Sequence, residues 1–132
     1  MSKLHAPYRY DVVGSFLRPE YLRTARAAFE RGELSAEELK VIEDKAILDL
    51  IAKEKAAGLH IITDGEFRRL TWHLDFMWNI DGVARVKSES GNTTFEEEAA
   101  AIDDVTIEGK LSVENHPFID HFRLVQAQED EN

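Results

Sequence analysis

Two short segments hold residues whose types and spacing suit the binding of a small polar molecule. In Val13-Gly14-Ser15, the glycine lets the backbone approach a ligand closely, and the serine adds a hydroxyl and an amide donor. In Asp64-Gly65-Glu66, two carboxylates could hold a ligand ammonium group. Gly-Ser and Asp-Gly are also ordinary turn sequences with a capping carboxylate, and the spacing alone favours neither interpretation.

Other polar and aromatic residues follow the second segment. Arg68 could grip a substrate carboxylate with two hydrogen bonds or pair with Glu66, while a salt bridge is the plainer interpretation for at least one of Arg68 and Arg69. An aromatic cluster could form the floor of a pocket for a flat ring, although such clusters more often belong to the core. Its members are Trp72, His73, Asp75, Phe76 and Trp78.

The sequence predicts no metal site within this chain. It has no cysteine, and of its five histidines only His116 and His121 are close together, at a spacing that places them poorly on one helical face. It also contains no glycine-rich nucleotide loop and no serine of the hydrolase type flanked by glycines.

The elements that must position the two segments form a strand, helix, helix, strand series. The pattern predicts a strand over 8–16, a helix from about Pro19 to Arg31, and a buried strand over 59–63. A second long helix precedes that last strand, since Ser35 and Glu38 have the spacing of a capping box and Gly58 can end it. Parallel strands joined in this way end at one edge of a sheet, so we expect both segments to lie there.

Beyond this unit the pattern changes. Alternating residues over 83–87, 105–107 and 111–113 predict a β-hairpin-like excursion, and a last helix is predicted over 116–128. The expected fold class is therefore α/β.

Length, charge and composition argue against nucleic-acid binding and membrane insertion. The 132 residues suit one folded unit, and the net charge of −10 repels nucleic acid and anionic membrane surfaces. The sequence has no signal-peptide pattern and no apolar run of membrane-spanning length. We expect a cytoplasmic protein that binds neither nucleic acid nor membrane.

Together the two segments and their surroundings resemble the start of the cobalamin-independent methionine synthase family, and more closely its short, single-barrel branch. The order and separation of the motifs agree, as does the long helix between them. The matching stretches are Val12–Pro19, Gly58–Arg69, Trp72–Phe76, Gly109–Leu111 and His116–Phe118.

The resemblance implies a fold and a role for the two segments. Members of that family are (β/α)₈ barrels that transfer a methyl group from a methylated folate, or another donor, to the sulfur of zinc-bound homocysteine. By the resemblance, Gly14, Ser15 and Glu66 hold the amino-acid end of homocysteine. The Glu66 carboxylate would pair with the ammonium group, and Ser15 would hydrogen-bond the substrate carboxylate.

The family's zinc ligands, one His, one Glu and two Cys on later strands, have no counterpart in this sequence. A barrel of this kind takes about 250 residues. We therefore expect an incomplete (β/α)₈ TIM-barrel fragment: one partial domain over 1–132, with βα units over 8–82, the excursion over 83–113 and a helix over 116–128.

Such a fragment would be inactive alone and would associate with itself or with a chain that supplies the remaining strands. The alternative is a non-catalytic, truncated homologue that acts as a binding or assembly module. An unrelated acidic interaction protein is the third possibility.

Overall fold

The computed structural model describes residues 12–71, 73–87 and 103–129. In chain order, the elements are α1 (Glu20–Glu30), α2 (Ala36–Ala56), α3 (Leu74–Met77), β1 (Asp81–Lys87), β2 (Asp103–Ser112) and α4 (Pro117–Gln126). The described residues of Met1–Arg68 and His121–Asn132 form one compact unit, and those of Arg69–Asp120 form a second. The single partial domain over 1–132 stays a prediction.

The helices predicted before residue 58 are confirmed. α1 begins directly after Pro19, whose fixed φ suits a helix start, and buries Leu22 and Ala25. α2 begins with the expected capping box: the Glu38 amide donates to Ser35 Oγ at 3.2 Å, and the Ser35 amide donates to Glu38 Oε2 at 2.9 Å. Within the described ranges, no helix has the length and apolarity needed to cross a membrane.

The core of the first unit lies between α1 and α2. Its buried side chains are Leu22, Ala46, Ile47, Ile51 and Phe67. Half-buried residues next to the two candidate segments and on α4 pack against it, among them Phe16, Ile62 and Val125. Because Phe67 directly follows the second candidate segment, burial of its ring fixes that segment against the helices.

The two strands predicted to flank these helices are not formed in the described residues. Residues 12–16 and 59–63 have no strand structure, and residues 8–11 lie outside the described ranges. A β-branched run suits a strand only where a neighbouring strand lies alongside it. Within the described residues, one backbone hydrogen bond joins the two segments, from the Phe16 amide to the Gly65 carbonyl at 3.1 Å.

The hairpin-like excursion is confirmed in a simpler form. β1 and β2 pair antiparallel, with Val83 opposite Ile107 and Lys87 opposite Asp103. The predicted separate strands over 105–107 and 111–113 are one continuous strand, since a register shift between Asp81 and Val83 lets pairing continue to Ser112. The predicted last helix is confirmed as α4.

Candidate functional site

The two candidate segments, Val13-Gly14-Ser15 and Asp64-Gly65-Glu66, are loops in the structure, and their backbones meet in the first unit. Besides the Phe16-to-Gly65 bond, Arg18 reaches from the start of α1 to the second loop. Its Nη2 donates to the Glu66 carbonyl at 2.7 Å, and its Nε donates to the Phe67 carbonyl at 3.3 Å. The structure thus brings Gly14 and Ser15, which precede these donors by a few residues, to the side of Gly65 and Glu66.

The second loop is a tight turn held by its own side chains. Asp64 Oδ1 accepts from the Glu66 amide at 2.9 Å, and Thr63 Oγ1 accepts from the Gly65 amide at 3.1 Å. Gly65 and Glu66 both lie in the left-handed region, with φ of 62° and 56°. For a non-glycine residue such as Glu66 this conformation costs about 1 kcal/mol or more, so surrounding contacts must maintain it.

The predicted ligand-binding residues differ in accessibility. Val13, Gly14 and Ser15 are exposed, Asp64 and Glu66 are half-buried, and Gly65 is buried. Asp64 Oδ1 is engaged by the turn through the Glu66 amide. The backbone hydrogen bond from Phe16 to Gly65 therefore brings the backbones of the two segments together, while binding of a ligand by their side chains stays a prediction.

Arg68 occupies a buried ion-pair network. Its guanidinium donates to Glu43 at 3.1 Å and also to Asp44, and only 6% of its side chain is exposed. Arg26 pairs with the same Glu43 at 3.0 Å and donates to the Phe67 carbonyl. These contacts give Arg68 a structural role, and its binding of a substrate carboxylate stays a prediction.

Burial and ion pairing act in opposite directions on the two carboxylates of this network. Burial raises the pKa of Glu43, although Arg26 and Arg68 oppose the increase. Burial also acts to raise the pKa of Asp44, but hydrogen bonds from Arg68 and Lys40 outweigh it and leave that pKa lowered. The Asp44 carboxylate is thus stabilised in its charged form.

Glu54, which the sequence-based predictions do not include, is a buried acid on α2 with 2% of its surface exposed. Its carboxylate accepts from the Thr63 amide at 3.2 Å and from the Thr63 hydroxyl at 3.2 Å. Burial raises the pKa of Glu54, while the bonds from Thr63 partly offset the increase. The available signal was its position: Glu54 follows Ile47 and Ile51 at helical spacing on the buried face.

The aromatic residues after Arg69 belong to the second unit. Asp75 accepts from the Thr71 amide at 2.7 Å, and Phe76 stacks on His116 with ring centroids 4.7 Å apart. Trp78 lies under the guanidinium of Arg85 at 4.2 Å, and Trp72 lies outside the described residues. These contacts are structural, and a pocket for a flat ring stays a prediction.

The family's zinc centre does not fit the residues described. In residues 12–71, 73–87 and 103–129, no three His, Cys, Asp or Glu side chains are grouped as a metal site would require. His116 is buried, and its Nδ1 accepts from the Phe118 amide at 3.2 Å while Nε2 lies 2.9 Å from the Phe76 carbonyl. The sequence contains no cysteine to supply thiolates.

Comparison with known proteins points to one family. Residues 10–120 match the family described as "Cobalamin-independent synthase, Catalytic domain". A Bacillus subtilis relative, the uncharacterized protein YxjG, is 36% identical over 121 residues, which cover 92% of this chain and 32% of YxjG. A methionine synthase from Sulfurisphaera tokodaii is 38% identical over 58 residues, which cover 44% of this chain and 17% of that enzyme.

A solved structure agrees with this similarity. The crystal structure of a proposed vitamin-B12-independent methionine synthase from Listeria monocytogenes superposes with a TM-score of 0.69 at 38% sequence identity. The superposition covers 92% of this chain and 32% of that one. The chain therefore spans about a third of the length of these two longer relatives, YxjG and the Listeria protein.

Alanine at Gly65 should destabilise the fold more than alanine at Gly14. Both glycines have positive φ, so both substitutions carry the left-handed penalty. A Cβ on Gly65 would also lie 2.5 Å from Leu50 Cδ2 and 3.2 Å from Phe16 Cβ, whereas one on Gly14 meets nothing within 4 Å. We expect Gly65→Ala to lose about 1–3 kcal/mol more unfolding free energy in urea titrations. Equal losses would contradict this packing of the loops.

Neutralising Glu54 should change the pH dependence of stability. Because its folded-state pKa lies above the usual 4.5, protonation of Glu54 favours the folded state. That contribution is fully present below about pH 4.5 and is lost as pH rises through the raised pKa. Urea titrations from about pH 4 to 7 should therefore show wild type losing stability relative to Glu54→Gln as pH rises.

Glu33→Gln provides the control for this pH series. The hydrogen bond from Arg31 lowers the pKa of Glu33, so its ionised form favours the folded state. The difference in unfolding free energy between wild type and Glu33→Gln should change in the opposite direction, with wild type gaining relative stability as pH rises. A Glu54→Gln difference that stays flat or follows the Glu33→Gln trend would disprove the raised pKa.

Proposed function

Because the chain belongs to the cobalamin-independent synthase family through its match over residues 10–120, we propose that its two loops hold the amino-acid end of homocysteine. The chain would then be part of a methionine synthase-like methyltransferase that uses a methylated folate or a related donor. The main support is the backbone hydrogen bond from Phe16 to Gly65, which joins the two loops.

The proposed binding mode uses complementary charges. The half-buried Glu66 carboxylate pairs with the homocysteine ammonium group, and the exposed Ser15 hydroxyl and the amides beside Gly14 bind its carboxylate. Asp64 holds the turn and adds negative charge, while Val13 lies at the edge of the site. Arg68 remains a candidate for the substrate carboxylate, and its pairs with Glu43 and Asp44 support a role in fixing the loop.

The proposed division of labour leaves methyl transfer to groups outside this chain. Binding and orientation of homocysteine need only the two loops, whereas thiol activation in the family uses zinc, for which this sequence has no thiolate ligands. We propose that polypeptide outside these 132 residues, or a second copy of them, supplies the remaining strands. The large apolar side chains that flank the loops support such an association, since Val13 is 95% and Leu17 91% exposed.

The proposal favours the cytoplasm, because a chain without cysteine gains nothing from an oxidising compartment. The alternative of a non-catalytic binding module shares the same amino-acid site. The two functions differ in whether a complementing chain restores methyl transfer.

Calorimetry with homocysteine tests the binding site. Glu66→Gln keeps the size of the side chain but removes its charge, and a lost charge-assisted bond is worth about 1.5–3 kcal/mol. We therefore expect Glu66→Gln to bind at least about tenfold more weakly. The control is Glu37→Gln, an exposed position in the first turn of α2, which should bind like wild type. Equal affinity of Glu66→Gln and wild type would remove Glu66 from the site.

A turnover assay tests the proposed division of labour. The chain alone, supplied with zinc, homocysteine and methylated folate, should form no methionine by mass spectrometry. A full-length methionine synthase in the same mixture serves as the positive control. Methionine formed by this chain alone would show that it carries the whole active site.

A further inference from the structure

Glu54, a buried acid on α2, lies next to the proposed site at a position where an apolar residue would need less desolvation free energy. Glu54 sits on the face of α2 that also buries Ile47 and Ile51, and 2% of its surface is exposed. Removing a carboxylate from water costs several kcal/mol unless hydrogen bonds compensate. In the part of the chain that the structure describes, the Glu54 carboxylate accepts its hydrogen bonds from the amide and hydroxyl of Thr63, two residues before Gly65.

We propose that Glu54 and Thr63 are positioning residues that set the left-handed turn of Gly65 and Glu66 through a directed chain of hydrogen bonds. This inference rests on the proposed function, because it assigns the two residues to the same homocysteine site. It extends that site to groups that do not touch the ligand.

The donor and acceptor of each hydrogen bond in this series follow from the chemistry of the groups. A backbone amide can only donate, so Thr63 Oγ1 accepts from Gly65 and its single hydroxyl proton is left to point to Glu54 Oε1 at 3.2 Å. The lone pairs of Thr63 Oγ1 are then available to the Gly65 amide, 3.1 Å away. A buried acid at position 54 therefore selects the orientation in which Thr63 accepts from the turn.

The next hydrogen bond in the series reaches Glu66, whose carboxylate is the proposed partner of the homocysteine ammonium group. Once the Gly65 amide is held by Thr63, the following amide, that of Glu66, is held by Asp64 Oδ1 at 2.9 Å. Two consecutive amides are thus fixed in the conformation that costs Glu66 its backbone strain. Because backbone φ sets the direction in which a side chain leaves the chain, this turn determines where the Glu66 carboxylate can lie relative to Ser15.

Thr63 provides a matched pair of variants. Thr63→Val keeps the shape and the backbone amide but removes the hydroxyl, whereas Thr63→Ser keeps the hydroxyl. We expect homocysteine affinity by calorimetry to fall about tenfold or more in Thr63→Val and to stay within about twofold of wild type in Thr63→Ser. Glu54→Ala, which removes the acceptor of both Thr63 donors, should lower the affinity in the same direction as Thr63→Val.

A double-mutant cycle separates positioning from general destabilisation. If Thr63 acts through Glu66, Thr63→Val should weaken binding strongly in wild type but little further in the Glu66→Gln background. A merely structural role would weaken binding by the same factor in both backgrounds. Equal factors, or a Thr63→Val affinity within about twofold of wild type, would overturn the inference.

Hydrogen exchange in the absence of ligand tests the relay even if wild type binds no homocysteine. Failure of binding would refute the proposed function alone. The Gly65 and Glu66 amides should exchange at least about tenfold faster in Thr63→Val than in wild type or Thr63→Ser. Unchanged exchange of these amides in Thr63→Val would refute the positioning role, whatever the calorimetry shows.

Discussion

The left-handed turn at Gly65 and Glu66 is the constraint on which the candidate site depends. Its carbonyls point away from regular secondary structure and need donors from elsewhere. Those donors come from residues beyond the first loop: the Phe16 amide binds the Gly65 carbonyl, and Arg18 binds the carbonyls of Glu66 and Phe67. The same bonds that satisfy the turn therefore place Ser15 beside Glu66, so the geometry of the site follows from a backbone requirement.

Buried ion pairs between α1, α2 and Arg68 hold the residues that directly follow the turn. Arg26 and Arg68 share Glu43, and Arg26 also donates to the Phe67 carbonyl. Taking these groups out of water is expensive, and apolar residues of similar size would often be more stable. An apolar layer, however, would leave the Phe67 carbonyl with fewer donors, and it would fix the loop only by shape. A displacement of the loop that separates Arg68 from Glu43 and Asp44 would leave buried charges with fewer partners, so these ion pairs favour the observed loop position.

Sequence predicted the helices well because their signals are local. The capping box of Ser35 and Glu38 and the spacing of Leu22 and Ala25 depend on neighbours within a turn or two. The strand over 59–63 was predicted wrongly, and residues 12–16 of the strand predicted over 8–16 form no strand, because a strand exists only with a partner and β-propensity measures fit to that partner. Glu54 was missed for the same reason: its partner Thr63 lies in a different segment, and periodicity marks its position as buried without showing what an acid does there.

The candidate site also explains the contrast in exposure around it. Phe67 and Gly65 are buried, yet Val13 and Leu17 on either side of the Gly14-Ser15 pair are almost fully exposed. A water-covered carboxylate binds an ammonium group weakly, because the high dielectric screens the attraction. Covering Val13 and Leu17 with another polypeptide surface would remove water from the loops and strengthen that attraction while burying the two apolar side chains. Under the proposed function, assembly and substrate affinity would therefore be coupled: a contact that covers Val13 and Leu17 would also lower the dielectric in which Glu66 acts.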